Sequence, residues 1–200
     1  VLLICSALAW GQSGEKFLNV QIDIADGKGY APCEPSIVIH PKNPKKIMAA
    51  AILDKVYTSD DGGYTWCIEN LESSMGVFGD PCLVANAKGH FYYLHLSNPS
   101  GLGWSDESLL DRIVCQRSKN MKKWSNGAGI GLNGSKDQDK EWAVTNPKNQ
   151  DIYVTWTQFD KYDSSAEGDS TVILFAKSDK RAKEFSVPVR ISQIAGDCLD

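Results

Sequence analysis

The sequence predicts an all-β fold of repeated four-stranded antiparallel units, the blades of a β-propeller. Three observations carry this. The runs EPSIVIHP, HFYYLHL, DIYVTWTQF and STVILFA are short, β-branched or aromatic, and bounded by Gly, Pro, Asn or Asp, as strands are. A serine-to-aromatic turn recurs as SDDGGYTW (Ser59–Trp66), SKNMKKW (Ser118–Trp124) and SDKRAKEF (Ser178–Phe185), with Ser59 and Ser118 59 residues apart and Ser118 and Ser178 60 apart. A second landmark precedes each turn: EPSIVIHPKNPKKIMAAA from Glu34, DPCLVANAKGHFYYLHL from Asp80 and EWAVTNPKNQDIYVTW from Glu141. A unit of about four strands repeated every 45–60 residues or so is the signature of a propeller blade. Long helical periodicity is missing, so a TIM barrel does not fit, and a sandwich would not repeat its turn at fixed spacing.

From the N-terminus, the first element is VLLICSALAWGQ. It is too short to span a bilayer. It has the character of the apolar and cleavage regions of a secretory signal, with Ala7-Leu8-Ala9 as the approximate site; a first β-strand is the alternative. The expectation is a signal-peptide remnant over 1–12, a partial propeller over 13–200, no transmembrane segment, and an exported protein: periplasmic, cell-surface or extracellular. Of the six cysteines, removing Cys5 leaves an odd number. That leaves one free thiol or a partner outside the chain. No C-x-x-C pair exists, so neither zinc nor another metal is expected.

The repeated units run approximately over 34–70, 80–130 and 141–190. In each, an acidic residue precedes a short apolar run, a turn of about five residues and a second apolar run, with insertions such as SNPSGLGWSDESLLD before the outer strands. The unit closes on the serine turn. In the first copy, Asp61 can accept backbone N–H groups of its own turn, Gly62 and Gly63 supply positive φ, Thr65 opens the outgoing strand, and Trp66 folds back over the turn into the wedge between blades. Trp66, Trp124 and Phe185 should therefore be equivalent, with Trp66 mostly buried. Three such units cannot close a ring of about four to eight blades. The chain thus reads as the N-terminal part of a longer propeller, its last sheet exposing an apolar flank of Val172, Ile173, Leu174 and Phe175.

SDDGGYTW, together with DPCLVANAKGHFYYLHLS, KDQDKEWAVTNP and DIYVTWTQFD, resembles the Asp-box, or BNR repeat, of the sialidase (neuraminidase) superfamily, over about residues 30–200. The resemblance implies a six-bladed propeller, a bacterial exported glycoside hydrolase, and a structural role for Ser59, Asp61, Gly63, Thr65 and Trp66. It also implies that the box joins the third and fourth strands of its blade, opposite the active face. The nominal activity is exo-α-sialidase hydrolysis of terminal glycosidic bonds, on a glycan or glycoconjugate; a non-catalytic glycan- or protein-binding propeller is the alternative. The sequence departs from the family at its three substrate-binding arginines: it has only Arg112, Arg117, Arg181 and Arg190, and EPSIVIHP stands where the first arginine motif would be. The family's Tyr–Glu nucleophile pair belongs to later blades.

Chemistry is therefore expected where the inner strands begin, near the propeller axis. Glu34, Asp80 and Glu141, with Asp139 just before, would converge there from three blades. Crowded carboxylates raise one another's pKa, which suits a general acid in glycoside cleavage; strand capping, with pairing to Lys136 and Lys140, is the competing reading. The candidate catalytic residues are Asp80, Glu141 and Asp139, and the candidate substrate-binding residues are Glu34 and Trp142. His40, His90 and His95 have no ligand spacing, and no phosphate loop or nucleophile elbow points to a cofactor. With a net charge of −4 and no basic run, a nucleic-acid partner is not expected.

Overall fold

The computed structural model describes residues 19–24, 31–179 and 181–199. The expected leader, with Cys5, lies outside them. The described chain folds into three four-stranded antiparallel meanders. The first holds β1 (Ser36–Ile39), β2 (Ile47–Ala51), β3 (Lys55–Ser59) and β4 (Cys67–Asn70). The second holds β5 (Cys82–Ala85), β6 (Phe91–Leu96), β7 (Ile113–Ser118) and β8 (Ala128–Ile130). The third holds β9 (Asp137–Thr145), β10 (Ile152–Phe159), β11 (Thr171–Lys177) and β12 (Val189–Arg190).

The sheets stack face to face as neighbouring propeller blades. Strand β5 packs between β1 and β9, so the first strand of every blade is innermost. Two hydrogen bonds tie these inner strands: the Leu83 N–H donates to Ser36 Oγ at 3.0 Å, and Thr145 Oγ1 donates to the Ala85 carbonyl at 3.0 Å. A sheet with a neighbour on each side must be apolar on both faces. That explains why FYYLHL in β6 is wholly buried. Phe91 and Tyr93 enter the core shared with blade 1, beside Met48, Ala50 and Val56. Tyr92, Leu94 and Leu96 enter the core shared with blade 3, beside Ile152, Val154 and Trp156.

The serine turns join the third and fourth strands in all three blades, and their aromatics are equivalent. Trp124 packs into the blade 1–blade 2 core and Phe185 into the blade 2–blade 3 core. Trp66 packs on the other flank of blade 1, against Ala49, Ala51, Tyr57 and Ile22. It is half-buried rather than mostly buried.

In the first turn the Asp61 carboxylate accepts the N–H groups of Tyr64 and Thr65, both at 3.0 Å, and the hydroxyls of Thr65 (2.6 Å) and Ser59 (2.8 Å). These bonds, the Thr65 hydroxyl foremost, hold its pKa far below the usual carboxylate range. The Trp66 indole donates to the Gly63 carbonyl at 2.9 Å. The other turns substitute for Asp61. Asn120 accepts from Lys122 and Lys123, and Asp179, one position earlier in its turn, accepts from Arg181 and Lys183.

The apolar flank of blade 3 is made differently from the expectation. Strand alternation turns Leu174 inward to blade 2, where it is buried. Ile173, Trp142 and Val144 are exposed, and with them Phe175 stacks on Tyr153 at 6.1 Å. The five described cysteines, Cys33, Cys67, Cys82, Cys115 and Cys198, are all free thiols. Among the described residues no helix is long and apolar enough to cross a membrane.

Candidate functional site

On the face opposite the serine turns, the entries to the inner strands meet the turns between second and third strands. Each entry carries one non-glycine residue in the left-handed region: Glu34 (φ 52°), Asp80 (φ 48°) and Lys140 (φ 53°). The backbone equivalence is fixed by matching bonds, since the Ile52 N–H donates to the Cys33 carbonyl and the Leu96 N–H to the Gly79 carbonyl. The third-blade counterpart of Glu34 and Asp80 is therefore Lys140, not Glu141. Glu141 takes the place held by Pro35 and Pro81. Matching acid to acid in the sequence displaces the alignment by one residue.

A β-bulge aims this pair. In the β9–β10 ladder Asp139 faces Thr157 and Trp142 faces Thr155, so Lys140 and Glu141 together oppose Trp156. A bulge sends neighbouring side chains to unusual sides of a strand. Here Lys140 points to the cleft, and Glu141 points toward blade 2, on the same side as the buried Ala143.

Lys140 Nζ lies 2.6 Å from Asp80 Oδ2 and 3.6 Å from Glu34 Oε1. Its ammonium thus bridges three blades. Burial alone would lower its pKa, but the Asp80 bond and the surrounding carboxylates raise it. A hydrogen bond shared with Asp80, more than burial, pushes the Glu34 carboxyl above its ordinary value. Asp139 is buried and accepts the Lys140 N–H at 2.6 Å. Lys136, suggested by sequence as a partner of this cluster, pairs instead with Asp160.

Glu141 is 3% exposed. Neither of its carboxyl oxygens has a hydrogen-bond partner. Burial, reinforced by Asp80 and Asp139, raises its pKa well above the usual carboxylate range. An ionised carboxylate in such a place would be very costly, which favours the neutral acid. The neighbouring Cys82 thiol is pushed up to about 12, mainly by burial, and is inert.

Two cavities meet at these groups. One, of about 210 Å³, is lined by Glu34, Asp80, Asp139 and Lys140 together with Phe78, Trp104, Leu110 and Tyr162. The other, of about 250 Å³, lies along the inner strands and is bounded by Pro35, Pro81, Glu141 and Trp142. The structure thus gathers Glu34, Asp80, Asp139 and Glu141 at one place. Trp142 is 69% exposed, so it is not core. Its ring borders both the axial cavity and the open flank of blade 3. The sequence reading did not identify Trp104 and Tyr162 as site residues; a tryptophan inside GLGWSD, a loop unable to bury it, was the available signal. The arginines lie elsewhere. Arg112 is bidentate to Asp111, Arg117 reaches the Arg181 carbonyl, and Arg190 bonds the Ser192 carbonyl. Among the described residues no cluster of His, Cys, Asp and Glu has metal-site geometry.

Comparison with known proteins yields no matching family model and no matching curated sequence. Solved structures do match. An α-L-arabinanase from Penicillium chrysogenum, complexed with arabinobiose, superposes with a TM-score of 0.55 at 15% identity, over 84% of this chain and 52% of that one. A protein of unknown function from Dyadobacter fermentans gives a TM-score of 0.55 at 16% identity, over 81% of this chain and 56% of that one. An α-L-arabinofuranosidase from Fusarium graminearum, with an iminosugar inhibitor, gives 0.52 at 15% identity, over 78% and 49%. The chain spans about half the length of these structures. At such identities the likeness establishes the fold, an arc of propeller blades.

Proposed function

We propose that the axial cleft belongs to a glycoside hydrolase. The observation that carries this reading is Glu141, whose buried carboxyl oxygens have no hydrogen-bond partner, beside Asp80 in the lining of the cavity along the inner strands. Glycoside cleavage needs one carboxyl kept protonated to donate to the leaving oxygen and a second kept as carboxylate to activate water or attack the sugar. Glu141 supplies the first. Asp80, in an ion pair with Lys140, supplies the second, and Asp139 raises the proton affinity of Glu141. The arabinan-processing enzymes among the matched structures support a carbohydrate substrate, and the apolar run over 1–12 supports export, which suits a polymeric one.

Within this class, the Asp-box resemblance names exo-α-sialidase. Against that choice, the sole cation of the cleft among the described residues is Lys140, already engaged by two carboxylates. The same ammonium favours a second reading, a propeller that binds a glycan without cleaving it, because it occupies the space between Glu34 and Asp80. Turnover by the full-length protein on sialosides, α-L-arabinofuranosides and other uncharged glycosides decides. Hydrolysis abolished by Glu141→Gln supports the enzyme. Binding without hydrolysis supports the second reading.

A further inference from the structure

The cavity that holds the carboxylates is lined by aromatic rings as well. Trp104 stands on a 3₁₀ turn, Gly103–Ser105, in the long β6–β7 connection, and is 62% exposed. Its ring meets Phe78 edge-on at 5.9 Å and leans on Tyr162 at 5.4 Å. All three line the cavity that holds Glu34, Asp80, Asp139 and Lys140. The connection is pinned at several points. The Gly103 N–H donates to Asn98 Oδ1 (3.1 Å), the Leu110 N–H to the Ser97 carbonyl (3.1 Å) and the Gln138 N–H to the Leu110 carbonyl (2.7 Å). Leu109 and Leu110 are anchored in the core between blades 2 and 3. Trp104 is thus an exposed indole on a connection held at several points, in the same cavity as the polar groups.

The geometry points to a sugar-stacking subsite in which Trp104, supported by Phe78 and Tyr162, takes the apolar face of an uncharged sugar ring while its hydroxyls reach Asp80, Asp139 and Lys140. Large, rigid aromatic surface beside a few placed polar groups is how small-molecule sites obtain both affinity and orientation. Charge selects the sugar. Glu34, Asp80 and Asp139 face a single ammonium, and no described arginine lines the cavity. A carboxylated sugar would bring like charge to an acidic cleft. This subsite rests on the carbohydrate reading of the cleft, but not on catalysis.

The test is calorimetric titration of the full-length Glu141→Gln protein with arabinobiose, lactose and cellobiose as uncharged probes and 3′-sialyllactose as the charged one. The expected result is saturable binding of at least one uncharged probe, weakened about ten-fold by Trp104→Ala and less than about three-fold by Trp104→Phe, as for loss and retention of one aromatic contact. An unchanged Kd in Trp104→Ala, tighter binding of 3′-sialyllactose, or no binding of any uncharged probe overturns the subsite. Trp104-dependent binding by a wild-type protein that hydrolyses nothing keeps the subsite and removes the enzyme reading. Hydrolysis unaffected by Trp104→Ala does the reverse.

Discussion

Lys140 Nζ sits 2.6 Å from Asp80 Oδ2, joining the inner-strand entry of blade 3 to that of blade 2. Both residues hold positive φ at equivalent places in their blades, so the pairing follows from the repeat itself. A second acid, Glu34, completes the set from blade 1. The ammonium offsets part of the repulsion between two carboxyl groups at one site.

Lys140→Met should therefore change protonation more than stability. The Lys140 side chain is about half exposed, so the lost ion pairs should cost roughly 1 kcal/mol or less after solvent screening. Without the cation, which lowers the Glu34 pKa, the Glu34 carboxyl should keep its proton to higher pH. The check is carboxyl titration by NMR in both proteins: the Glu34 transition should move upward in Lys140→Met. An unmoved transition would mean that the bridge is not formed in solution.

Glu141→Gln should stabilise the fold at neutral pH while abolishing hydrolysis. The folded-state pKa of Glu141 is raised, so its contribution to stability is fully present below the ordinary glutamate value near 4.3 and is lost as pH rises toward the folded value. Glutamine has no proton to lose. The melting temperature of the variant should overtake that of the wild type as pH rises through the neutral range, and scans from pH 4 to pH 9 would show the crossing. Parallel curves would contradict a buried neutral Glu141.

The fold was legible because each blade carries its own local signals: turn residues at the serine turn, apolar runs of strand length, and spacing near 60 residues. HFYYLHL announces a strand buried on both faces. The candidate site was legible in part. Glu34, Asp80, Asp139 and Glu141 are acids at strand entries, and a repeat brings such entries together. What the repeat could not reveal was the bulge opposite Trp156, which exchanges the roles of Lys140 and Glu141. A bulge adds one residue to a strand, and a one-residue shift reverses every facing. Trp104 was missed for a different reason: it sits on the β6–β7 connection, outside the landmarks that repeat from blade to blade.

Asp61→Ala should lower the melting temperature and leave sugar binding unchanged. Asp61 gathers four donors from its own turn, and it lies on the opposite face from the cleft. Its folded-state pKa is depressed, so its contribution is full above the ordinary aspartate value near 4 and fades only as pH falls below it. Thermal scans with parallel titrations at pH 7 would separate the roles. Loss of binding at an unchanged melting temperature would assign the serine turn to the site.

His95 should set the acid limit of stability. It lies on β6, facing blade 1 beside Tyr93, fully buried. Nδ1 lies 2.8 Å from the Leu96 carbonyl and Nε2 3.1 Å from Gln116 Oε1; both partners are acceptors, so the neutral ring donates to one of them and only the imidazolium could donate to both. Gln116 is fixed in turn, since its Nε2 donates to the carbonyls of Glu72 and Ser125, and its Oε1 therefore faces the imidazole. Burial lowers the His95 pKa to about 4, against the partial compensation of these two bonds. In the unfolded chain an imidazole titrates near 6.5, so between those values the unfolded state binds the proton and the folded state does not. Stability is then intact above about pH 6.5 and is lost as pH falls toward 4, by up to about 3 kcal/mol for one such group. Glu141 slopes the opposite way above about pH 4.3, so the acid limb is cleanest in the Glu141→Gln background. There, denaturant unfolding at pH 7, 6, 5 and 4 should show the loss, and His95→Gln should flatten it even if the variant is less stable at pH 7. An acid limb unchanged by His95→Gln would assign it to other groups.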